Sequence, residues 1–137
     1  MQKKSSGSVE IKLFKLDYKR ILDELKSYAR RVIGRGARAV ILIGSLARGD
    51  YTAFSDADIV IIVNNAPSNP LDRIKEFIDP SLSIDLQPRV YTFQEFIEMA
   101  RQRSRIVRET IEHGILLGGD KEVVKAITRM FRKEETV

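Results

Sequence analysis

The sequence has no cysteine, no tryptophan and a single histidine, His113. Without cysteine there is no disulfide, no thiolate nucleophile and no cysteine-based zinc site. One histidine rules out a histidine-rich metal centre too, so a metal would have to be held mainly by oxygen, which suits a hard cation. No apolar run approaches the ~20 residues that span a bilayer, and the opening "MQKKSSGSVE" lacks the apolar stretch of a signal peptide. The expectation is a cytoplasmic protein with no membrane partner. Acidic residues are outnumbered, 19 against 24 basic, for a net charge of +5. That balance favours anionic partners: nucleotides, nucleic acid or an acidic protein surface.

At 137 residues the chain has room for one well-cored domain. We expect a flexible N terminus over residues 1–7 and a single domain over 8–137, with any acceptor-recognition or second catalytic surface supplied by this domain, a homo-oligomer or another protein. "SVEIKLF" alternates apolar and polar residues and predicts a short edge strand. From about Lys15 to Ile33, Tyr18, Ile21, Leu22, Leu25, Tyr28, Ala29, Val32 and Ile33 recur at helical spacing, with Gly34 and Gly36 as the stop. "ARAVILIG" and "DADIVIIV" are β-branched runs apolar on successive positions, as strands covered on both faces require. "LDRIKEFI" suits a short helix, and "SLSIDLQPRVY" a third strand ending or bending near Pro88. Thr92 and Glu95 form a capping box ahead of "FQEFIEMARQR". A helix "SRIVRETIEHG" follows, then a short strand or turn "ILLGGD", with Asp120 capping a last helix "KEVVKAITRMFRKEE".

Between the first two apolar strands lies the chemistry. Asp56 and Asp58 stand two apart at a strand start, so both side chains project to the same face. Two carboxylates so close repel unless a proton or cation lies between them, and a divalent metal is the direct resolution. Gly44 and Ser45 end the preceding strand; glycine lets a phosphate approach the backbone, and a serine hydroxyl with amide N–H groups can bind its oxygens. For this cradle to lie beside the carboxylates, the two strands must be antiparallel. If the third strand runs parallel to the second, Asp85 joins the same end. Three carboxylates there could hold two Mg²⁺ ions, Asp85 acting as general base or as ligand of the ion that activates an attacking hydroxyl.

"GSLARGDYTAFSDADIVI" resembles the signature of the DNA polymerase β-like nucleotidyltransferase superfamily, and its form G-S-x-A-R-G…S-D-x-D is similar to the minimal nucleotidyltransferases, the MNT-type proteins often paired with a HEPN-domain partner. The resemblance implies an α/β (α+β) fold, a small mixed sheet flanked by helices. It implies that Gly44 and Ser45 bind phosphate, with Arg48 and Ser55 assisting, and that Asp56, Asp58 and Asp85 are metal-binding and catalytic. It further implies a Mg²⁺-dependent enzyme moving AMP from ATP to a hydroxyl, with a tyrosine of a HEPN-type toxin as acceptor and this chain as antitoxin. A non-catalytic nucleotide-binding module that neutralises a partner by contact, and transfer to an RNA 3′ end or a small molecule, are the alternatives.

Each residue has a plainer reading. Gly44 alone could make a turn, Asp56 could be a loop residue or cap, Asp85 a solvent-facing strand residue and Arg48 half of a surface ion pair. His113, beside Gly114, reads as a favourable charge at a helix C terminus. Arg101, Arg103, Arg105 and Arg108, with Arg30, Arg31, Arg35 and Arg38, could contact RNA, but no interleaved aromatics offer bases a stack, and solvated helix faces explain them.

Overall fold

The computed structural model describes the backbone of residues 2–133 and the side chains of residues 18–133. The first helix, α1, runs Gln2–Gly34. The edge strand expected in "SVEIKLF" is therefore replaced by helix, while its side chains, with the expected flexible residues 1–7, lie outside the part described in full. The helical stripe from Tyr18 onward is as expected: Ile21, Leu25, Tyr28, Ala29 and Val32 are buried, with Tyr18, Leu22 and Ile33 packed at its margins. The chain then turns through Gly36 at φ +113°, and the Ala37 N–H donates back to the Val32 carbonyl at 3.2 Å.

Four strands follow: β1 Ala39–Ile43, β2 Ala57–Val63, β3 Leu86–Thr92 and β4 Ile115–Gly119, in the order β3-β2-β1-β4. The two β-branched runs are the central pair, and apart from the half-buried Asp58 every residue in them is buried. Alternate side chains enter opposite cores. Val40, Leu42, Ala57, Ile59 and Ile61 meet α1. Ala39, Ile41, Ile43, Val60 and Ile62 meet α4 (Phe93–Arg101), α5 (Arg105–His113) and α6 (Lys121–Lys133) through Phe96, Val107, Val123, Ile127 and Phe131. Fully burying a side chain such as Leu25 or Phe96 stabilises by about 1.5–3 kcal/mol.

The strand directions follow the expectation: β1–β2 is antiparallel and β2–β3 parallel, the return being made through α3, Pro70–Lys75. The boundaries of β3 do not. It begins at Leu86, after Asp85, and continues through Pro88 to Thr92. The physical reason is that β3 is an edge strand. The Asp85 carbonyl accepts from Ala57 N–H at 2.8 Å, so odd-numbered residues turn their backbone groups to β2 while Pro88, with no N–H to donate, faces the free edge. At that edge the Val90 carbonyl accepts from Arg73 at 3.2 Å, and the Thr92 N–H donates to Glu95 at 2.8 Å.

Candidate active site

The antiparallel register pairs Ile43 with Asp58, so the chain leaves β1 directly opposite the second aspartate. It turns there into the five-residue helix α2, Gly44–Arg48. Gly44 sits at φ +78°, and a Cβ on it would collide with the Asp58 carboxylate. Glycine is thus required twice over, by the left-handed backbone and by the close approach. Ser45 Oγ donates to Ser55 Oγ at 3.0 Å, and Ser55 Oγ accepts the Thr52 N–H at 2.9 Å. This ties the loop between α2 and β2 to the start of α2. Tyr51 stacks flat on Tyr18 at 4.8 Å, and the Tyr18 hydroxyl donates to the Leu46 carbonyl at 3.0 Å, anchoring loop and helix to α1.

Asp56 and Asp58 lie on the sheet face shared with Gln87 and Arg89 of β3. Asp58 is level with Gln87, and Asp56 accepts from Gln87 Nε2 at 2.9 Å. Asp85 immediately precedes β3 and flanks a cleft of about 380 Å³ with Asp56, Ser55, Ser83, Ile84 and Phe54. Asp58 opens instead on a cleft of about 400 Å³ lined by Gly44, Ser45, Arg48, Arg89, Arg105 and Glu109. The five motif residues thus share one end of the sheet, distributed over two adjoining clefts. A larger hollow of about 610 Å³ between α1 and Ser81 contains none of them.

Burial is the main cause that raises the Asp58 carboxyl above the usual carboxylate range. Arg89 opposes it, the Asp56 and Glu109 charges add to it, and Arg48 counteracts it in turn. Asp58 is therefore a half-buried carboxylate short of positive charge. With Asp56 on the same face, it makes an oxygen donor set suited to a hard cation such as Mg²⁺. Asp85 stands across from Asp56, yet among the described residues no three acidic or histidine side chains gather closely enough to form a metal cluster.

Arg48 is turned toward carboxylates, bonding Glu109 at 2.5 Å and Asp50 at 3.4 Å. Glu109 also accepts the Gly44 N–H at 2.9 Å. Nothing in the sequence announces Glu109, because its contacts cross from α5 to the β1–α2 junction. Arg89 and Gln87 had a signal: they continue the alternation from Asp85, which becomes visible once the strand is carried past Pro88. Phe54, 93% exposed beside Asp56 and Asp85, had none. Most of the arginines considered for RNA are engaged within the fold, with Arg103 over the Phe131 ring at 4.3 Å and Arg31 on Asp79 at 2.7 Å.

A family model described as a nucleotidyltransferase domain matches residues 18–117. A protein of Methanocaldococcus jannaschii, named provisionally as a protein adenylyltransferase, is 37% identical over 59 residues, 43% of this chain. The chain thereby spans 40% of the length of that curated relative. Among solved structures, a toxin–antitoxin complex with AMP-PNP aligns at a TM-score of 0.57 and 13% identity, over 81% of this chain and 87% of that one. A complex of tri-AMPylated Shewanella oneidensis HEPN toxin with MNT antitoxin aligns at 0.51 and 13% identity, over 87% and 90%. Likeness at these identities establishes the fold: a small mixed sheet flanked by helices, as the motif implied.

Proposed function

This chain belongs to the nucleotidyltransferase domain family, and from that premise we propose that it transfers a nucleoside monophosphate, AMP from ATP, to a hydroxyl of a partner protein. The observation that supports the reading is the close approach of Gly44 to Asp58, so that a phosphate bound at Gly44 would lie beside that carboxylate. The triphosphate would occupy the Asp58 cleft, with Ser45, the Gly44 N–H, Arg48 and Arg89 as donors. The acceptor would enter from the Asp85 cleft, so that the α-phosphorus lies between the two.

In that arrangement the acceptor oxygen forms a bond to the α-phosphorus and the bond to the bridging oxygen breaks. Pyrophosphate departs on the arginine side, and the hydroxyl proton passes to the Asp85 carboxylate. Asp56 and Asp58, with Asp85 opposite, would hold Mg²⁺, which when bound supplies charge neutralisation and lowers the pKa of a bound hydroxyl. Gln87 holds Asp56 in orientation, and the Ser45–Ser55 bond ties the loop before β2 to the start of α2.

For the acceptor we favour a tyrosine of a HEPN-type toxin, which makes this protein the antitoxin of a pair. Support comes from the toxin–antitoxin complexes that share the fold and from the exposed Phe54 at the mouth of the acceptor cleft, a suitable anchor for a protein surface. The test is label transfer from α-labelled ATP in the presence of Mg²⁺ to a coexpressed HEPN partner. Asp56→Asn with Asp58→Asn is expected to abolish it, and undiminished transfer by the double variant would sink the mechanism. The engagement of Arg48 by Glu109 favours one second reading, a binding module that neutralises its partner by contact. Neutralisation that survives loss of all three aspartates would select it. Labelling of RNA 3′ ends or of a small molecule in the same assay would redirect the acceptor.

A further inference from the structure

Glu109 occupies the place that a phosphate oxygen would take. Its Oε2 accepts from the Gly44 N–H at 2.9 Å and from Arg48 Nη1 at 2.5 Å. An anion held between a backbone amide and a guanidinium is the recognition chemistry of a phosphate. These are also two of the donors that the reading above reserves for the nucleotide. Glu109 lines the Asp58 cleft, and its side chain is 28% exposed. Its charge is unfavourable for Asp58, whose carboxyl it pushes upward.

A place for the displaced carboxylate also exists. Arg105 lies one helical turn before Glu109 on α5 and lines the same cleft. Its side chain makes no hydrogen bond or ion pair to any described residue. Residues four apart on a helix are neighbours, so rotation about the Glu109 side chain exchanges Arg48 for Arg105 without movement of the backbone.

We propose that Glu109 is a resident anion of the polyphosphate cradle, displaced from Gly44 and Arg48 when a triphosphate binds and returning to them as pyrophosphate leaves. The proposal rests on the cradle being a polyphosphate site. Glu109 then lowers the affinity for any ligand whose phosphates reach Gly44 and leaves unaffected a ligand that does not. It also shortens the residence of pyrophosphate, the product that departs from this cleft.

Equilibrium binding of inorganic pyrophosphate and tripolyphosphate to the full chain, in buffer containing Mg²⁺, tests this. Glu109→Gln keeps the shape and removes the charge; Glu109→Ala removes both. Loss of a charge-assisted competitor is expected to tighten both polyphosphates by roughly tenfold or more. In parent protein labelled with ¹³C and ¹⁵N, pyrophosphate should shift the Gly44 amide and the Glu109 carboxylate carbon together. Unchanged or weaker polyphosphate binding by the folded Gln variant would overturn the proposal, and would make Glu109 a positioning residue that holds Arg48 and Gly44 in place. Absence of polyphosphate binding in parent and variants alike would remove the cradle and this proposal with it. Tighter binding in the variants without label transfer to any acceptor would leave the proposal standing and remove only the transfer reading.

Discussion

At the residue scale, Gly44 and Asp58 are two halves of one construction. The backbone of one is pressed against the carboxylate of the other, and Gly44 cannot be enlarged without moving Asp58. Gly44→Ala places a methyl group against the Asp58 carboxylate and forces alanine to φ +78°. A cost of roughly 1–3 kcal/mol is expected in urea unfolding, together with loss of label transfer, since the same methyl group occupies the phosphate approach. Asp58 behaves in the opposite sense. Burial disfavours its charge in the folded state, so the Asp56→Asn, Asp58→Asn variant used for the transfer assay is expected to melt at or above the parent's midpoint. A fall in midpoint would mean that the carboxylates are structural supports.

At the scale of elements, β3 and α4 are joined by one polar cluster. Thr92 caps α4 by accepting the Glu95 N–H at 3.1 Å, while Glu95 accepts the Thr92 N–H at 2.8 Å and holds Arg73 through both its oxygens, at 2.7 and 2.9 Å. Arg73 reaches on to the Val90 carbonyl, so α3, the free edge of β3 and the start of α4 share a single carboxylate. The Arg73 hydrogen bonds are the main cause that holds the Glu95 carboxyl at about 2, below its ordinary 4.5, with the Thr92 N–H acting the same way against burial. Between those values the unfolded chain binds the proton and the folded protein does not. The stabilisation is therefore complete above about 4.5 and lost as pH falls toward about 2. Glu95→Gln is expected to cost about 1 kcal/mol at neutral pH, given a half-exposed ion pair and one helix cap. Denaturant unfolding at a series of pH values should show the difference from the parent shrinking through that window.

At the scale of the whole molecule, two apolar cores on either side of the β1–β2 pair leave one end of the sheet for polar residues, and every motif side chain is delivered to that end. Part of the positive charge is engaged within the fold: Arg31, Arg38, Arg48, Arg73 and Arg101 all face carboxylates. What stands out at the motif end is Phe54, an aromatic ring with no cover, 93% exposed. Phe54→Ala removes no core contact and is expected to change stability by less than about 0.5 kcal/mol. Transfer to a protein acceptor should slow while pyrophosphate binding is unchanged. Equal transfer rates for the two proteins would show that the acceptor docks elsewhere.

The sequence alone determined the α1 stripe, the two central strands, the capping box at Thr92 and the Gly44, Ser45, Asp56, Asp58, Asp85 pattern. These rest on local periodicity and on backbone requirements that a short window of residues carries by itself. It also implied the strand directions, because the cradle and the carboxylates can meet only if β1 and β2 are antiparallel. Residues 8–14, which alternate like a strand, lie in a helix, since alternation over so few positions does not outweigh the pull of a continuing helix. The end or bend expected near Pro88 does not interrupt β3, because whether its missing N–H matters depends on which edge it faces, and only the sheet order decides that. Glu109 on Gly44 and Arg48, Arg89 beside Asp58, and the division of the carboxylates between two clefts belong to the tertiary structure. Each depends on residues far apart in the chain being brought within hydrogen-bonding or Coulomb range, a distance that no local pattern encodes.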